Sequence, residues 1–325
     1  MFLNGVDSSQ LIFRLTLVTL SAVVVLTLAS QFGQYLFLEL TTHFRLQYVL
    51  VAIVCAVVFT VLQEWKFVPI AIICAVLNAI YLGPYLRPAS HVDADGPRLR
   101  LLHANVLKDN RDYGAVFDLV SKTKADLVVL QEVTDDWDNQ TAVLKQKYSY
   151  IKSVPGPEGS GIAVLSRFPF QDEKVLQLDA STHIAILVRV TVEGRPVTLL
   201  SLHPTTPITP KKFANRNRQF AEAAKLLNAA EGLKILVGDL NTSMWSPYFR
   251  TLVEKSGLRD VRVGFGLLTS WPMPLPSFLR LPIDHCLVSS DVTVKDVQIG
   301  NAVSSDHLPL IVDLVLGPQA SSPAR

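Results

Sequence analysis

LKILVGDLN, residues 233–241, is the stretch on which the reading turns. Leu233, Ile235, Leu236 and Val237 form a short apolar run closed by Gly238, too short for a helix and so read as a buried strand. It ends in a carboxylate and an amide, Asp239 and Asn241, which packing alone does not require. The same pattern recurs on both sides. RLRLLHANV (98–106) ends at Asn105, DLVVLQEV (126–133) at Glu132, and PVTLLSLHP (196–204) at His203. PIDHCLVSS (282–290) opens with Asp284, and Asp306-His307 precedes LPLIVDLVL (308–316).

Other signals complete the region 98–316. GIAVLSRFP (161–169) and VTVKDVQIG (292–300) read as strands, and HIAILVRVTV with PVTLLSLHP as a hairpin around Glu193-Gly194-Arg195. Tyr113–Lys124 and Pro210–Ala230 carry helical spacing, and Ser246-Pro247 is a helix start. Pro210–Ala230 displays Lys211, Lys212, Arg216 and Arg218 as a basic face that could cradle a phosphate or an anionic headgroup, a solvated face being the plainer reading for the two lysines. Strands often follow strands, so this is no plain βαβ repeat. An α+β domain of two packed mixed sheets with helices outside fits, and strand ends meeting at one edge would gather the polar groups in one cleft.

Those groups suit phosphoester chemistry. A hard cation such as Mg²⁺ takes oxygen ligands, and Glu132, Asn105 and Asp306 supply them. Developing charge on a phosphate is stabilised by a metal, an imidazolium or an amide N–H, available from His203, His307 and Asn241. A carboxylate such as Asp239 can orient and deprotonate water, and Asp284 can hold His307. Singly, each has a bland reading as a turn or a cap. Eight in the order N…QE…H…GDxN…DH…SDH do not.

That order resembles the endonuclease/exonuclease/phosphatase superfamily, over about residues 98–315. The resemblance implies a four-layer α/β/β/α sandwich and attack of water on a phosphodiester or phosphomonoester, with Mg²⁺ as cofactor and Mn²⁺ as the alternative. It makes Glu132 the main metal ligand with Asn105 and Asp306 nearby, and Asp239 the residue that activates water. Asn241, His203 and His307 contact the phosphoryl oxygens, His307 being oriented by Asp284. Ser-Leu-His-Pro around His203 is closer to the deoxyribonuclease and sphingomyelinase pattern than to the AP endonucleases. TSWP (269–272) and HPTTP (203–207) look similar to a group of bacterial membrane-anchored members.

Residues 1–90 differ in kind. They hold seven charged side chains, Asp7, Arg14, Glu39, Arg45, Glu64, Lys66 and Arg87, and the other 51 follow. Apolar stretches imply about three transmembrane helices, near 11–30, 46–62 and 67–86, before a linker at 91–97; residues 317–325 read as a tail. A cleaved signal peptide is disfavoured, because two further apolar runs follow the first. A multi-pass protein of a bacterial inner membrane is expected. Arg45, Arg87, Arg98 and Arg100 against Arg14 and Lys66 lean toward a cytoplasmic catalytic domain. Cys55, Cys74 and Cys286 form neither a disulfide framework nor a metal knuckle.

Arg167, Arg218 and Trp271 are further candidates for substrate contact. His103, His183 and His285 read as structural, and Asn241-Thr242-Ser243 matches a glycosylation sequon that a cleft would not use. The expected partners are the bilayer and a phosphoester, either a lipid headgroup or a small molecule. A tethered nuclease is the alternative. A net charge of +1 over residues 91–325 speaks against a nucleic-acid binder. A silent binding or scaffold protein is the third reading.

Overall fold

The computed structural model describes residues 8–89 and 94–317. The expected tail lies outside these residues apart from Gly317, and the linker is described only from Ala94.

The apolar third forms helices α1 (Ser8–Ala29), α2 (Leu36–Thr42), α3 (Arg45–Val61) and α4 (Val68–Leu86). Ser8–Phe32 and Trp65–Leu86 are long and apolar enough to cross a membrane; α2 and α3 together are a third candidate, bent by 64°. At ~1.5 Å per residue, α1 alone is about 33 Å long. A buried polar knot joins the helices at the end nearest the globular domain. Arg45 donates to Asn78 Oδ1 at 2.9 Å and to the Ser30 carbonyl at 3.2 Å. Asn78 Nδ2 in turn reaches Thr27 Oγ1 at 2.9 Å. Arg45 is thus an internal tie and not a free flanking charge, while Arg98 and Arg100 lie in the first strand of the globular domain, Arg100 paired with Asp313. Of the charges behind the topological lean, Arg87 alone on that side keeps a flanking position.

The strands of the globular domain are β1 (Arg98–Asn105), β2 (Leu127–Gln131), β3 (Tyr150–Val154), β4 (Ile162–Ser166), β5 (Asp172–Leu176) and β6 (Ala185–Val192), followed by β7 (Arg195–Leu202), β8 (Leu233–Asp239), β9 (Arg259–Asp260), β10 (Asp284–Val288), β11 (Val292–Ile299) and β12 (Leu310–Leu316). They form two six-stranded mixed sheets, ordered β11-β12-β1-β2-β4-β3 and β5-β6-β7-β8-β10-β9. The sheets pack face to face through Leu101, Val129, Val164, Val188, Leu199, Val237 and their neighbours. Helices α5 (Tyr113–Thr123) and α6 (Asp135–Thr141) cover one outer face, around Trp137. Helices α7 (Pro210–Ala229) and α8 (Pro247–Ser256) cover the other, through Phe220, Leu227 and Phe249. This is the expected α/β/β/α sandwich. Its central strands are buried on both sides, which is why they read as continuous apolar runs.

Local chemistry sets the element ends. Thr209 caps α7 ahead of Pro210, and Ser246 caps α8 ahead of Pro247. The β6–β7 hairpin turns on Glu193 and Gly194, both at positive φ (45° and 81°), the geometry a two-residue turn requires. Strands β3, β5 and β9 carry no strong sequence signal, and each lies at a sheet edge. Edge strands take charged residues that break the apolar run, as in β5, DEKVL.

Helices α2, α3 and α4 dock on the α7/α8 layer. Leu46 and Val49 of α3 and Tyr81, Leu82 and Tyr85 of α4 join the core beneath α7 and α8. Glu39 of α2 and Arg216 of α7 form an ion pair at 2.7 Å, both fully buried. Arg216 therefore leaves the basic face expected for it. Its position alternates with Phe213 and Phe220, on the apolar stripe of α7.

Candidate active site

Register gathers the site. Asn105 pairs with Gln131 at the ends of the parallel strands β1 and β2, and Asp239 pairs with Asp284 where antiparallel β8 ends and β10 begins. His203 follows β7, parallel to β8, and His307 precedes β12, antiparallel to β1. One rim of the sandwich thus receives residues from both sheets.

The side chains converge on Asp239. Its Oδ2 lies 3.5 Å from His203 Nε2, 3.6 Å from His307 Nε2 and 3.3 Å from Asn105 Nδ2. Its Oδ1 accepts from the Asn241 N–H at 2.8 Å, and its own N–H donates to Gln131 Oε1 at 2.8 Å. Gln131 Nε2 donates to the Leu202 carbonyl, so the preceding β2 residue locks the two sheets together at the site. Asn105 Nδ2 also donates to Glu132 Oε1 at 2.9 Å, and the Lys108 N–H to Glu132 Oε2 at 3.0 Å. Glu132 and Asn241 both sit at positive φ, 63° and 50°. Asn tolerates that region; for Glu it is strained, and such strain is found where a side chain must be aimed.

Asp284 is fully buried and orients imidazoles. Its Oδ2 takes His307 Nδ1 at 2.9 Å and the Ser270 hydroxyl at 2.5 Å, and its Oδ1 lies 3.0 Å from His103 Nε2. Burial works against ionisation of Asp284, but His307 and His103 outweigh it and hold the carboxyl well below its ordinary range. Burial likewise opposes the His307 imidazolium, yet the Asp284 and Asp239 carboxylates raise it to about 10. Despite its burial, the Asp239 carboxyl is lowered by His307 and His203. Against its own burial, His203 is raised by Asp239. The outcome is ionised carboxylates facing a protonated His307, whose N–H suits a phosphate's oxygens.

A cavity of about 520 Å³ opens over these groups. Glu132, Asp239, His203, His307, Asn241, Asp306 and Trp271 all border it. The Trp271 indole Nε1 donates to Asp306 Oδ2 at 2.9 Å. Trp271 therefore holds a carboxylate as well as walling the cavity. Asn241 Nδ2 donates to the Pro204 carbonyl, and the sequon's Thr242 and Ser243 are buried.

Arg167 and Arg218 are not brought to this cavity. Strand β4 runs antiparallel to β2, so Arg167, just after its end, lies at the opposite rim from Glu132 and pairs with Asp126 at 3.3 Å. Arg218 is exposed on α7. His103 and His183 carry more than the structural role expected. His103 braces Asp284, and His183 borders the cavity with its Nδ1 3.0 Å from the His203 carbonyl. Burial and the neighbouring His203 lower His183 to about 4, so its ring is neutral. His285 turns away from the cavity, toward Thr242 and Arg262.

Two groupings could hold a cation. Asp239, Asp284 and His307 bring ligand atoms within 4.8 Å of one another. Asp284, however, already accepts from Ser270 and the two imidazoles, so this trio is an imidazole clamp. Glu132 and Asp306 are the better fit: both are carboxylates on the cavity, and Asp306 Oδ1 is buried with no donor among the described residues. Asn105 turns its amide nitrogen toward Glu132, and its Oδ1 accepts from the Leu107 N–H, so here it orients the carboxylate. An all-oxygen set of this kind fits a hard divalent ion.

A two-sheet sandwich with carboxylates, an amide and imidazoles at one rim defines a hydrolase of phosphoric esters. The chain belongs to the endonuclease/exonuclease/phosphatase family, whose model matches residues 102–307. Among solved structures it is similar to TDP2 of D. rerio complexed with a single-strand DNA product (15% identity, TM-score 0.59, 67% of this chain and 98% of that one). It is also similar to the human Nocturnin catalytic domain with bound sulfate (20%, 0.57, 69% and 96%). A third is an endonuclease/exonuclease/phosphatase from Beutenbergia cavernae (20%, 0.56, 69% and 72%). At these identities the likeness carries the fold alone. No curated protein matches the sequence.

Proposed function

We propose that this protein is a membrane-anchored phosphoesterase that hydrolyses a phosphodiester or phosphomonoester with a divalent cation, Mg²⁺ or alternatively Mn²⁺. The cation would rest on Glu132 and Asp306, with Asn105 beside them, and would supply charge neutralisation at the phosphoryl oxygens. Asp239, ionised and central, orients the attacking water and takes its proton. The His203 and His307 imidazoles and the Asn241 amide bind phosphoryl oxygens, and Asp284 fixes the His307 ring. Helices α1, α3 and α4 are three spans of a multi-pass anchor, and α2 lies at the membrane surface against the catalytic domain. The observation that carries this reading is the convergence on Asp239 Oδ2 of His203, His307 and Asn105, all within 3.6 Å.

A nuclease reading draws on the TDP2–DNA neighbour. Lys212 is the only Lys or Arg bordering the cavity among the described residues, and a polynucleotide backbone calls for a basic track. A small or lipid-borne phosphoester suits the site better.

The test uses the full chain in detergent, with bis-p-nitrophenyl phosphate, p-nitrophenyl phosphate, plasmid DNA and sphingomyelin, with and without EDTA. Hydrolysis of a phosphoester abolished by EDTA and restored by Mg²⁺ or Mn²⁺ supports the reading. Turnover of DNA alone supports the nuclease. Metal binding without turnover of anything supports the silent scaffold.

A further inference from the structure

The catalytic cavity has a second wall that the catalytic domain does not provide. Leu40, His43 and Phe44, from α2 and the α2–α3 junction, border it. Leu40 and Phe44 also border a separate groove of about 420 Å³ between α1 and α3. That groove runs along Ala22, Val23 and Leu26 of α1 and Tyr48 and Val51 of α3, and among the described residues no charged one borders it. Its floor is the buried pair Val23 and Tyr48, and its α1 rim at Thr19 and Ala22 is exposed on the outside of the bundle. In a membrane that rim faces lipid. Two side chains thus separate a polar, phosphate-binding cavity from an apolar slot open to hydrocarbon.

The mouth of the cavity is itself apolar. Ile208 and Phe44 border it and remain 61% and 40% exposed. Nearby, the loop carrying exposed Leu275, Phe278 and Leu279 is tied to the base of α3 by Gln47, whose Nε2 donates to the Phe278 carbonyl at 3.0 Å. Exposed apolar residues on a catalytic rim beside membrane helices place that rim at the bilayer surface.

We infer that the substrate is a phosphodiester lipid whose phosphate enters the Asp239 cavity while one of its chains lies in the α1–α3 groove, passing between Leu40 and Phe44. This rests on the phosphoesterase reading and names its substrate class. From Leu26 to Thr19 the groove follows two turns of α1, about 10 Å at ~1.5 Å per residue. That length accommodates roughly eight methylenes, each of which adds to binding as it leaves water.

The test compares methyl, octyl and dodecyl p-nitrophenyl phosphates, which share one leaving group, on the full chain in a fixed detergent. p-Nitrophenyl phosphate runs alongside. In wild type, kcat/KM is expected to rise at least tenfold from the methyl to the octyl ester. In Ala22→Trp and Val51→Trp, which fill the groove away from the reacting atoms, the octyl-to-methyl ratio is expected to fall toward one. Partition into detergent is common to all variants and leaves the comparison intact. A flat wild-type ratio, a ratio unchanged in both variants, or turnover of the monoester alone would overturn the inference and leave a phosphoesterase. No turnover of any of these esters would sink the phosphoesterase reading itself.

Discussion

Glu39 of α2 and Arg216 of α7 meet at 2.7 Å with neither side chain exposed. They join the N-terminal helices to the catalytic domain. The other Glu39 oxygen accepts from the Ser246 hydroxyl at 2.5 Å and the Thr242 hydroxyl at 3.4 Å. Thr242 is the neighbour of Asn241, so the tie ends on the loop that leaves Asp239.

Removing one partner of such a pair strands a buried charge. Glu39→Ala is expected to destabilise the full chain by about 3–5 kcal/mol. Glu39→Ala with Arg216→Leu, which removes both charges, should recover most of that. Thermal unfolding in detergent of the two variants beside wild type measures it. Equal stability of the single variant and wild type would show the pair to be solvated.

The same interface bears on truncation. A piece beginning at residue 90 lacks Glu39 and uncovers the apolar surface that Leu46, Val49, Tyr81, Leu82 and Tyr85 cover. It is expected to aggregate or to melt well below the full chain, measurable by light scattering and thermal unfolding. A truncated piece as stable and monodisperse as the full protein would contradict the docking seen here.

Asp284 sets the state of His307. Its folded value, about 10, stands above the ordinary value of about 6.5. The proton gained stabilises the fold fully below about pH 6.5, and that contribution is lost as pH rises through about 10. In metal-free protein, imidazole ¹⁵N shifts should show His307 protonated at pH 8 in wild type and largely neutral there in Asp284→Asn. A neutral wild-type ring at pH 8 would remove the clamp from the account.

Trp271 acts through Asp306. Trp271→Phe keeps the ring and removes the Nε1 donor. Losing such an outer hydrogen bond typically weakens metal affinity about 10–100-fold. Titration calorimetry with Mn²⁺ should show that weakening with the fold unchanged by circular dichroism. Unaltered Mn²⁺ affinity would mean the ion rests elsewhere than on Asp306.

The central architecture was legible because strands buried on both faces, such as LVVLQ and DHCLV, leave short apolar runs, and each carries a polar group at the end that meets the site. Edge strands such as DEKVL were not, since charge breaks the pattern there. Arg167 follows GIAVLS as plausibly as Glu132 follows LVVLQ; only the antiparallel pairing of β4 with β2 sends it to the far rim. The sequence did hold a signal for His183. The β6–β7 hairpin pairs Ala185 with Leu202, which carries the chain before it alongside His203. Arg216 also had one, its alternation with Phe213 and Phe220. The identity of its partner, 177 residues earlier, had none.

The most direct test of the phosphoesterase assignment is the steady-state hydrolysis of bis-p-nitrophenyl phosphate by the full chain and its Asp239→Asn variant in saturating Mg²⁺. The substitution is nearly isosteric and spares Glu132 and Asp306. In the variant kcat is expected to fall by at least about 10², the lower range for loss of a general base, with Mn²⁺ affinity changed by less than about threefold. Equal kcat in the two proteins would contradict the assignment, because the residue on which His203, His307 and Asn105 converge would then have no part in the reaction.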